Sequence, residues 1–253
     1  MDKTALIVGH PGHELMVYHW VEQHQPLYFC LTDGSGGNAT SRLDSTARLL
    51  ENAGARRGHL FGRYTDKEVY RLLLEGRIEV FVELAKELAD ALIEAEVDSV
   101  AGDAVEGFNP VHDVCRFLID GALALVYRQT GRVIRNYDFV LDARPDSCPE
   151  PLRGDALWMH LDEAAVERKL EAALGYQELR AEVQVALQRH GKNAFALECL
   201  RPAATRLLLQ QFEDDVPFYE RFGQKRVDEG LYDEIIRYRP HVLPVRTALE
   251  KET

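Results

Sequence analysis

The chain has 253 residues, a formal net charge of −12 and 46% hydrophobic residues. This length suits one α/β domain, alone or with a helical extension. The acidic charge argues against binding nucleic acid through a general positive surface, and no apolar run approaches the roughly eighteen residues that would cross a bilayer. The four cysteines are widely spaced and form no Cys-x-x-Cys pair, which predicts reduced thiols in a cytoplasmic protein. They are Cys30, Cys115, Cys148 and Cys199.

The chain opens with a short apolar run, Ala5 to Val8, followed by glycine, His10, a proline, a second glycine and His13. Such a run predicts a buried strand that stops abruptly. In open α/β sheets, ligands bind just beyond the carboxyl ends of the strands. Two imidazoles at this place could converge on one point. The alternative is one polar loop histidine and one helix-capping histidine.

A second segment repeats this pattern about a hundred residues later. A strand over about 98–101 runs into a polar loop, and the loop leads to His112 at the start of another helix. If the two strands are neighbours, His10, His13 and His112 surround one position. Three neutral imidazoles with an open site for water form a recognised catalytic zinc arrangement. We therefore predict a zinc site with these three histidines as ligands.

Strands and helices alternate through the first half of the chain. Apolar spacing predicts helices over 13–23, 41–53, 77–95 and 112–129, and further strands over 27–32, 58–62 and 133–142. This alternation favours a Rossmann-like α/β fold, a mostly parallel sheet flanked by helices. The glycine-rich loop over 33–37 leaves the second strand, and its spacing is not the dinucleotide-binding fingerprint.

The motifs resemble those of the LmbE/PIG-L family of zinc-dependent N-deacetylases. His10-Pro-Gly-His-Glu14 is similar to the family's opening His-Pro-Asp-Asp-Glu, and Asn109-Pro-Val-His112 is similar to its later His-Pro-Asp-His. The loop from Leu31 to Gly37 with Arg42 resembles a glycine-bearing loop and a substrate-facing arginine. The segment Gly62 to Asp66 resembles a loop with an acidic substrate-binding residue. The resemblance covers about residues 1–145.

The departures from the family motifs concern the reaction itself. Where the family has its general base, this chain has Gly12; where the family has an aspartate ligand, it has His13. Asn109 replaces a histidine associated with stabilising the oxyanion. The resemblance thus retains His10 and His112 as ligands and offers His13 as a replacement ligand, but it supplies no base at position 12.

Two functions are compatible with these residues. The first is a metal-dependent hydrolase that removes an N-acyl (acetyl) group from a sugar or amino-sugar conjugate. In it, Asn109 would steady the oxyanion, Arg42 and Asp66 would hold the substrate, and a nearby carboxylate would handle protons. The candidate carboxylates are Glu14, Asp103, Glu106 and Asp113. The second is a non-catalytic or re-purposed relative that binds a sugar-like ligand or a metal without deacetylation.

The C-terminal part has a different character. The segment 144–151 contains three prolines, which predicts a boundary between an α/β domain over 1–145 and a mainly helical extension over 146–253 that packs on it. Helical apolar stripes over 162–190 are interrupted near Gly175. Cations and aromatics cluster over 217–226 and 232–241. Two accounts remain for this cluster: an anion or sugar pocket closing over the metal site, or salt bridges and a homo-oligomer contact.

Overall fold

The computed structural model describes residues 2–36, 40–144, 146–205 and 215–252. Its centre is a seven-stranded sheet of order β3-β2-β1-β4-β5-β7-β6. The strands are β1 (Thr4–Val8), β2 (Leu27–Thr32), β3 (Arg56–Tyr64), β4 (Ser99–Asp103), β5 (Arg135–Phe139), β6 (Leu157–His160) and β7 (Leu197–Pro202). Strands β1 to β5 are parallel, whereas β7 runs antiparallel to both β5 and β6.

Helices connect the strands and follow them. They are α1 (Tyr18–His24), α2 (Leu43–Ala53), α3 (Asp66–Leu74), α4 (Ile78–Glu94), α5 (Pro110–Thr130), α6 (Glu163–Gly175), α7 (Arg180–His190), α8 (Phe218–Asp228) and α9 (Leu243–Glu252). A short 3-10 turn over His13–Val17 precedes α1. Local sequence explains several helix starts. Thr65 and Glu68 form a capping box at α3, and α5 begins with Asn109 as its N-cap and Pro110 in its first turn.

Helices cover both faces of the sheet. Strands β1 and β4 are buried along their whole length, which requires cover on both sides. On one face, α3, α4, α5 and α9 pack in a core that includes Phe81, Leu88 and Leu118. On the other face, α1, α2 and α6 pack in a second core around Tyr28 and Leu50. The predicted Rossmann-like α/β fold with a mostly parallel sheet and C-terminal helices is confirmed.

The C-terminal part also contributes to the sheet, which the sequence did not indicate. Strand β7 pairs with β5, and β6 lies at the edge beyond it. The helical stripe does break as predicted, since α6 ends at Gly175 and α7 begins at Arg180. Pro145, at the predicted domain boundary, lies outside the described residues. Among the residues described, no helix combines the length and apolarity needed to cross a membrane.

Candidate metal centre

The ends of β1 and β4 bring three histidines to one place. The strands pair in parallel, with Ile7 opposite Gly102, so their carboxyl ends meet at one edge of the sheet. The ring centroids are 5.3 Å apart for His10 and His13, 5.0 Å for His10 and His112, and 4.6 Å for His13 and His112. The structure thus gathers the three imidazoles that the sequence singled out.

Carboxylate and hydroxyl oxygens orient the ring of His10. Its Nδ1 lies 2.9 Å from Asp66 Oδ1 and 2.8 Å from Thr32 Oγ1. Burial opposes ionisation of Asp66, but hydrogen bonds from His10 and Thr32 outweigh it and lower its pKa to about 2. An ionised carboxylate only accepts hydrogen bonds, so Nδ1 carries a proton and Nε2 is the ring nitrogen left to bind a metal. That Nε2 is buried and has no hydrogen-bond partner among the described residues.

His13 is held in the same way from the other side. Its Nδ1 lies 2.9 and 3.0 Å from the two carboxylate oxygens of Asp103. Asp103 is completely buried, and its Oδ2 also accepts a 2.8 Å hydrogen bond from the backbone N–H of Gly9. The Asp103 carboxylate therefore connects the end of β4 to the loop after β1. Carboxylates behind ligand histidines are a common second layer of zinc sites.

The third ring, His112, lies in the first turn of α5 and is buried. Burial and the neighbouring rings of His13 and His10 hold its pKa well below the usual value. It is therefore neutral at pH 7, as a metal-ligating imidazole must be. Its Nδ1 has no hydrogen-bond partner in the part of the chain that the structure describes.

The ring spacing fits a common tetrahedral metal. With Zn–N distances of about 2.1 Å, the ring centroids of two imidazole ligands at tetrahedral angles lie roughly 5 Å apart, which the three observed separations match. Within the described ranges, no three His, Cys, Asp or Glu side chains already stand in coordinating positions. The donor set is nevertheless suited to zinc.

Gly12, which has no side chain, lies beside the histidines and is covered by residues of the C-terminal part. Gly12 has φ of 105°, and a Cβ at this position would lie 2.4 Å from Leu179 Cδ1 and 3.7 Å from Tyr176 Cζ. Both residues follow directly from the end of α6. Leu179 thus packs where any larger residue at position 12 would place its first side-chain atom.

The carboxylate of Glu14 is surrounded by donors. Its Oε2 accepts hydrogen bonds from the Gly12 N–H and the Tyr28 hydroxyl, each at 2.9 Å, and its Oε1 accepts one from Thr46 at 2.6 Å. Burial raises its pKa. In this structure Glu14 fixes the turn at Gly12 against β2 and α2, and its proposed part in proton handling stays a prediction.

Asn109 and Asp113 hold the loop between β4 and α5. Asn109 Oδ1 accepts from the Val111 N–H at 2.8 Å, so its amide NH₂ remains a possible donor. Asn109 also forms a hydrogen bond with Tyr70 of α3. Burial raises the pKa of Tyr70 to about 12, and this hydrogen bond acts against the rise. Asp113 Oδ1 accepts from the N–H groups of Glu106 and Gly107 at 3.1 and 3.2 Å. Burial raises the Asp113 pKa to about 7.

Arg42 lies at the loop after β2. A Cβ atom placed on Gly34 would lie 3.0 Å from Arg42 Cδ and 3.0 Å from Pro11 Cδ. The arginine is therefore beside the histidine turn, with its carbonyl accepting a 3.2 Å hydrogen bond from Tyr176. Gly37, the last glycine of the predicted loop, lies outside the described residues.

Sequence reasoning missed Thr32, Tyr70, Tyr176 and Leu179. Thr32 ends β2, the strand beside β1, so strand order could have indicated its place next to His10. Tyr176 and Leu179 had no such signal, because they lie more than 160 residues from Gly12.

The sequence matches no known protein-family profile, and no curated protein matches it. Several solved structures do share the fold. A deacetylase of the A40926 pseudoaglycone, Dbv21, is 18% identical, aligns over 81% of this chain and 98% of its own, and gives a TM-score of 0.53. A deacetylase of teicoplanin biosynthesis is 14% identical over 79% and 97%, with a TM-score of 0.55. The conserved protein TT1542 from Thermus thermophilus is 16% identical over 81% and 96%, also with a TM-score of 0.55.

At these identities the likeness concerns the fold. It extends over nearly the whole length of each solved chain, so the shared architecture is not confined to one part of those proteins. A further similar structure, at a TM-score of 0.52, is of a zinc-inhibited form of teicoplanin deacetylase.

Proposed function

We propose that this protein is a metal-dependent hydrolase that removes an N-acyl group from a sugar or amino-sugar conjugate. The observation that carries the proposal is the group of three histidines at adjoining strand ends, of which His10 and His13 are each backed by a buried carboxylate. The sequence resemblance to zinc-dependent N-deacetylases and the fold likeness to solved deacetylases support the same reaction class.

His10, His13 and His112 are the residues that would hold the metal, with Asp66 and Asp103 orienting the first two rings. A bound zinc ion would supply Lewis acidity and lower the pKa of coordinated water. Three neutral ligands leave the site one unit more positive than two histidines and one carboxylate would. A more positive site compensates in part for the absence of a carboxylate base at Gly12.

The remaining roles belong to side chains around the histidines. The amide NH₂ of Asn109 also hydrogen-bonds Tyr70, and its second hydrogen would be a donor suited to a developing oxyanion. Arg42, beside the His10 to His13 turn, would bind a polar group of the sugar. Asp113, next to His112 at the start of α5, and Asp103 are the carboxyls that would handle protons for a leaving amine; burial raises the pKa of Asp113 to about 7.

The closure of Gly12 by Leu179 favours a second candidate function. A protein that binds a sugar-like ligand or a metal without hydrolysis needs no base, and Leu179 packs on the one position where the related motif carries it. General acid–base help is worth about two to four orders of magnitude. The second candidate therefore predicts ligand binding with no turnover.

Acetate release from N-acetylglucosamine and its glycosides, with zinc-loaded protein, separates the two candidates. We expect turnover that a chelator abolishes and that His112→Ala removes, whereas His59→Ala, an exposed histidine beside Glu87, leaves it unchanged. Asn109→Ser keeps an N-cap oxygen for α5 but loses the amide donor, and we expect it to lower kcat by about 10²–10³. Sugar binding without acetate release would favour the second candidate.

A further inference from the structure

A groove lies between α1, α2 and α6, on the face of the sheet that carries the second core. Its volume is about 470 Å³, within the roughly 300–1,000 Å³ of small-molecule sites. None of the three histidines lines it. We call it the helix groove, and the polar side chains around it include Tyr18, Glu22, Arg48, Asn52, Arg168 and Glu171.

The α2 side of the helix groove presents a cation. Arg48 Nη2 donates to Ser45 Oγ at 3.0 Å, and the buried Ser45 hydroxyl donates to Glu178 at 2.7 Å. A guanidinium has five N–H donors, and this hydroxyl is the one partner that the described residues give it. Arg48 is thus held at one nitrogen, while its other donors and its charge are available to a ligand.

The α6 side presents an anion. Glu171 lines the helix groove but forms no hydrogen bond or ion pair with another described residue. Arg168, one turn earlier, is already occupied, because its Nε and Nη2 donate to the Glu22 carboxylate at 3.0 to 3.3 Å. The groove therefore separates an unpaired cation on α2 from an unpaired anion on α6.

The floor adds a hydroxyl and apolar surface. Tyr18 is only 6% exposed, yet its hydroxyl has no hydrogen-bond partner in the part of the chain that the structure describes. Burial and the nearby Glu22 and Glu171 carboxylates raise its pKa, so the phenol keeps its proton at neutral pH. Buried tyrosine hydroxyls usually have a partner. Leu49 and the ring of Tyr176 provide apolar contact beside it.

We propose that the helix groove is a second binding site, which takes a free α-amino acid with a large apolar side chain. The ligand carboxylate would bind Arg48, its ammonium would bind Glu171, and its side chain would lie against Leu49 and Tyr176. A neutral sugar would leave both protein charges without a counter-charge, and a ligand with one charge would use only one side. The unpartnered Tyr18 hydroxyl offers a further hydrogen bond.

The site would be separate from the histidine cluster. Tyr176 lines the helix groove and also lies beside the histidine turn, since its Cζ is 3.7 Å from the Cβ position of Gly12. The proposal does not depend on the hydrolase activity, because no candidate metal ligand takes part in it. Binding can therefore be measured on metal-free protein.

The test is calorimetric titration of the full chain in the presence of a chelator. The ligands are L-phenylalanine, 3-phenylpropanoate, which lacks the ammonium, and 2-phenylethylamine, which lacks the carboxylate. We expect L-phenylalanine to bind about 10-fold or more tightly than either truncated ligand, because each loses a charge-assisted contact. An excess of N-acetylglucosamine should not displace it.

Variants assign each charge of the ligand to one side of the groove. Arg48→Gln should weaken binding of L-phenylalanine by about 10-fold but leave that of 2-phenylethylamine unchanged. Glu171→Gln should weaken binding of L-phenylalanine to the same degree but leave that of 3-phenylpropanoate unchanged. The matched controls are Arg128→Gln on α5 and Glu83→Gln on α4, two exposed charges outside the groove, and they should change nothing.

Four results would overturn the inference. They are no binding of L-phenylalanine at millimolar concentration, equal affinities for all three ligands, undiminished binding in both groove variants, and displacement by N-acetylglucosamine. The proposed hydrolase stands or falls separately: acetate release without amino-acid binding would reject only the second site, and amino-acid binding without acetate release would reject only the hydrolase.

Discussion

The two walls around the histidine cluster are built differently. On one wall, residues of the N-terminal half are polar and pre-arranged, with Asp66 behind His10 and Asp103 behind His13. On the other wall, the C-terminal half contributes the apolar Leu179 over Gly12. Under the proposed function the first wall would orient ligands for a metal, whereas the second places Leu179 where a side chain at position 12 would begin. The carboxylates behind the histidines and the leucine over Gly12 thus come from separate parts of the chain, and changes to each should have separable effects.

Gly12→Asp should have the largest effect on the wall formed by Leu179. The new Cβ would lie 2.4 Å from Leu179 Cδ1 at a φ of 105°, so overpacking and backbone strain should lower the free energy of unfolding by about 2–5 kcal/mol. Urea denaturation measures the loss. We expect no gain in activity, because the end of the Leu179 side chain would have to move aside before the aspartate could lie beside the histidines.

The double variant Gly12→Asp with Leu179→Ala provides the control. It relieves the clash but not the strain, so it should recover part of the lost stability. Wild-type stability in Gly12→Asp alone would show that the wall formed by Leu179 yields easily and that the site can accept a carboxylate base.

Asp66→Asn and Asp103→Asn test the polar wall. Each amide still accepts a hydrogen bond from imidazole but no longer carries the charge that supports the ligand. We expect each to weaken zinc affinity by about 10–100-fold, measured by competition with a chromogenic chelator. Asp44→Asn, on the exposed side of α2, should leave the affinity unchanged. An unchanged affinity in both site variants would mean that these carboxylates serve only the fold.

Tyr176→Phe should have the smallest effect. Its hydroxyl lies 2.8 Å from Thr46 Oγ1 and donates to the Arg42 carbonyl, so its loss should cost about 1 kcal/mol of stability. Zinc affinity should not change, because the hydroxyl contacts Thr46 and Arg42 and not the histidines. Tyr127→Phe, at an exposed ring, is the control for thermal unfolding. A drop in zinc affinity would show that the two walls are coupled.

The sequence predicted the parts of the fold that local pattern determines. Short apolar runs followed by glycine marked β1 and β4, and the parallel pairing that joins them follows from the α/β alternation. Strands β6 and β7 were missed because they are short, lie among charged helices and acquire their partner only through β5, far back in the chain. The edge strand β6 also has two exposed ends, Leu157 and His160, with no alternating pattern to indicate a strand.

The sequence likewise predicted some residues of the candidate site and missed others. Strand-end reasoning placed His10, His13 and His112 near one another, and the structure brings their rings together. The metal role of these residues is still a prediction. Leu179 over Gly12 was not predictable, because no local pattern relates a leucine after α6 to a turn after β1. The Phe108 ring likewise stacks on Phe218, in a helix that begins more than a hundred residues later.

Metal content is the most direct test of the central claim that three histidines bind one metal ion. Mass spectrometry would be applied to protein supplied with zinc at neutral pH and then dialysed, beside a His10→Ala and His112→Ala double variant and a His59→Ala control. We predict about one zinc per chain in the wild type and the control, and almost none in the double variant. Wild-type protein without metal, or a double variant that retains it, would contradict the account.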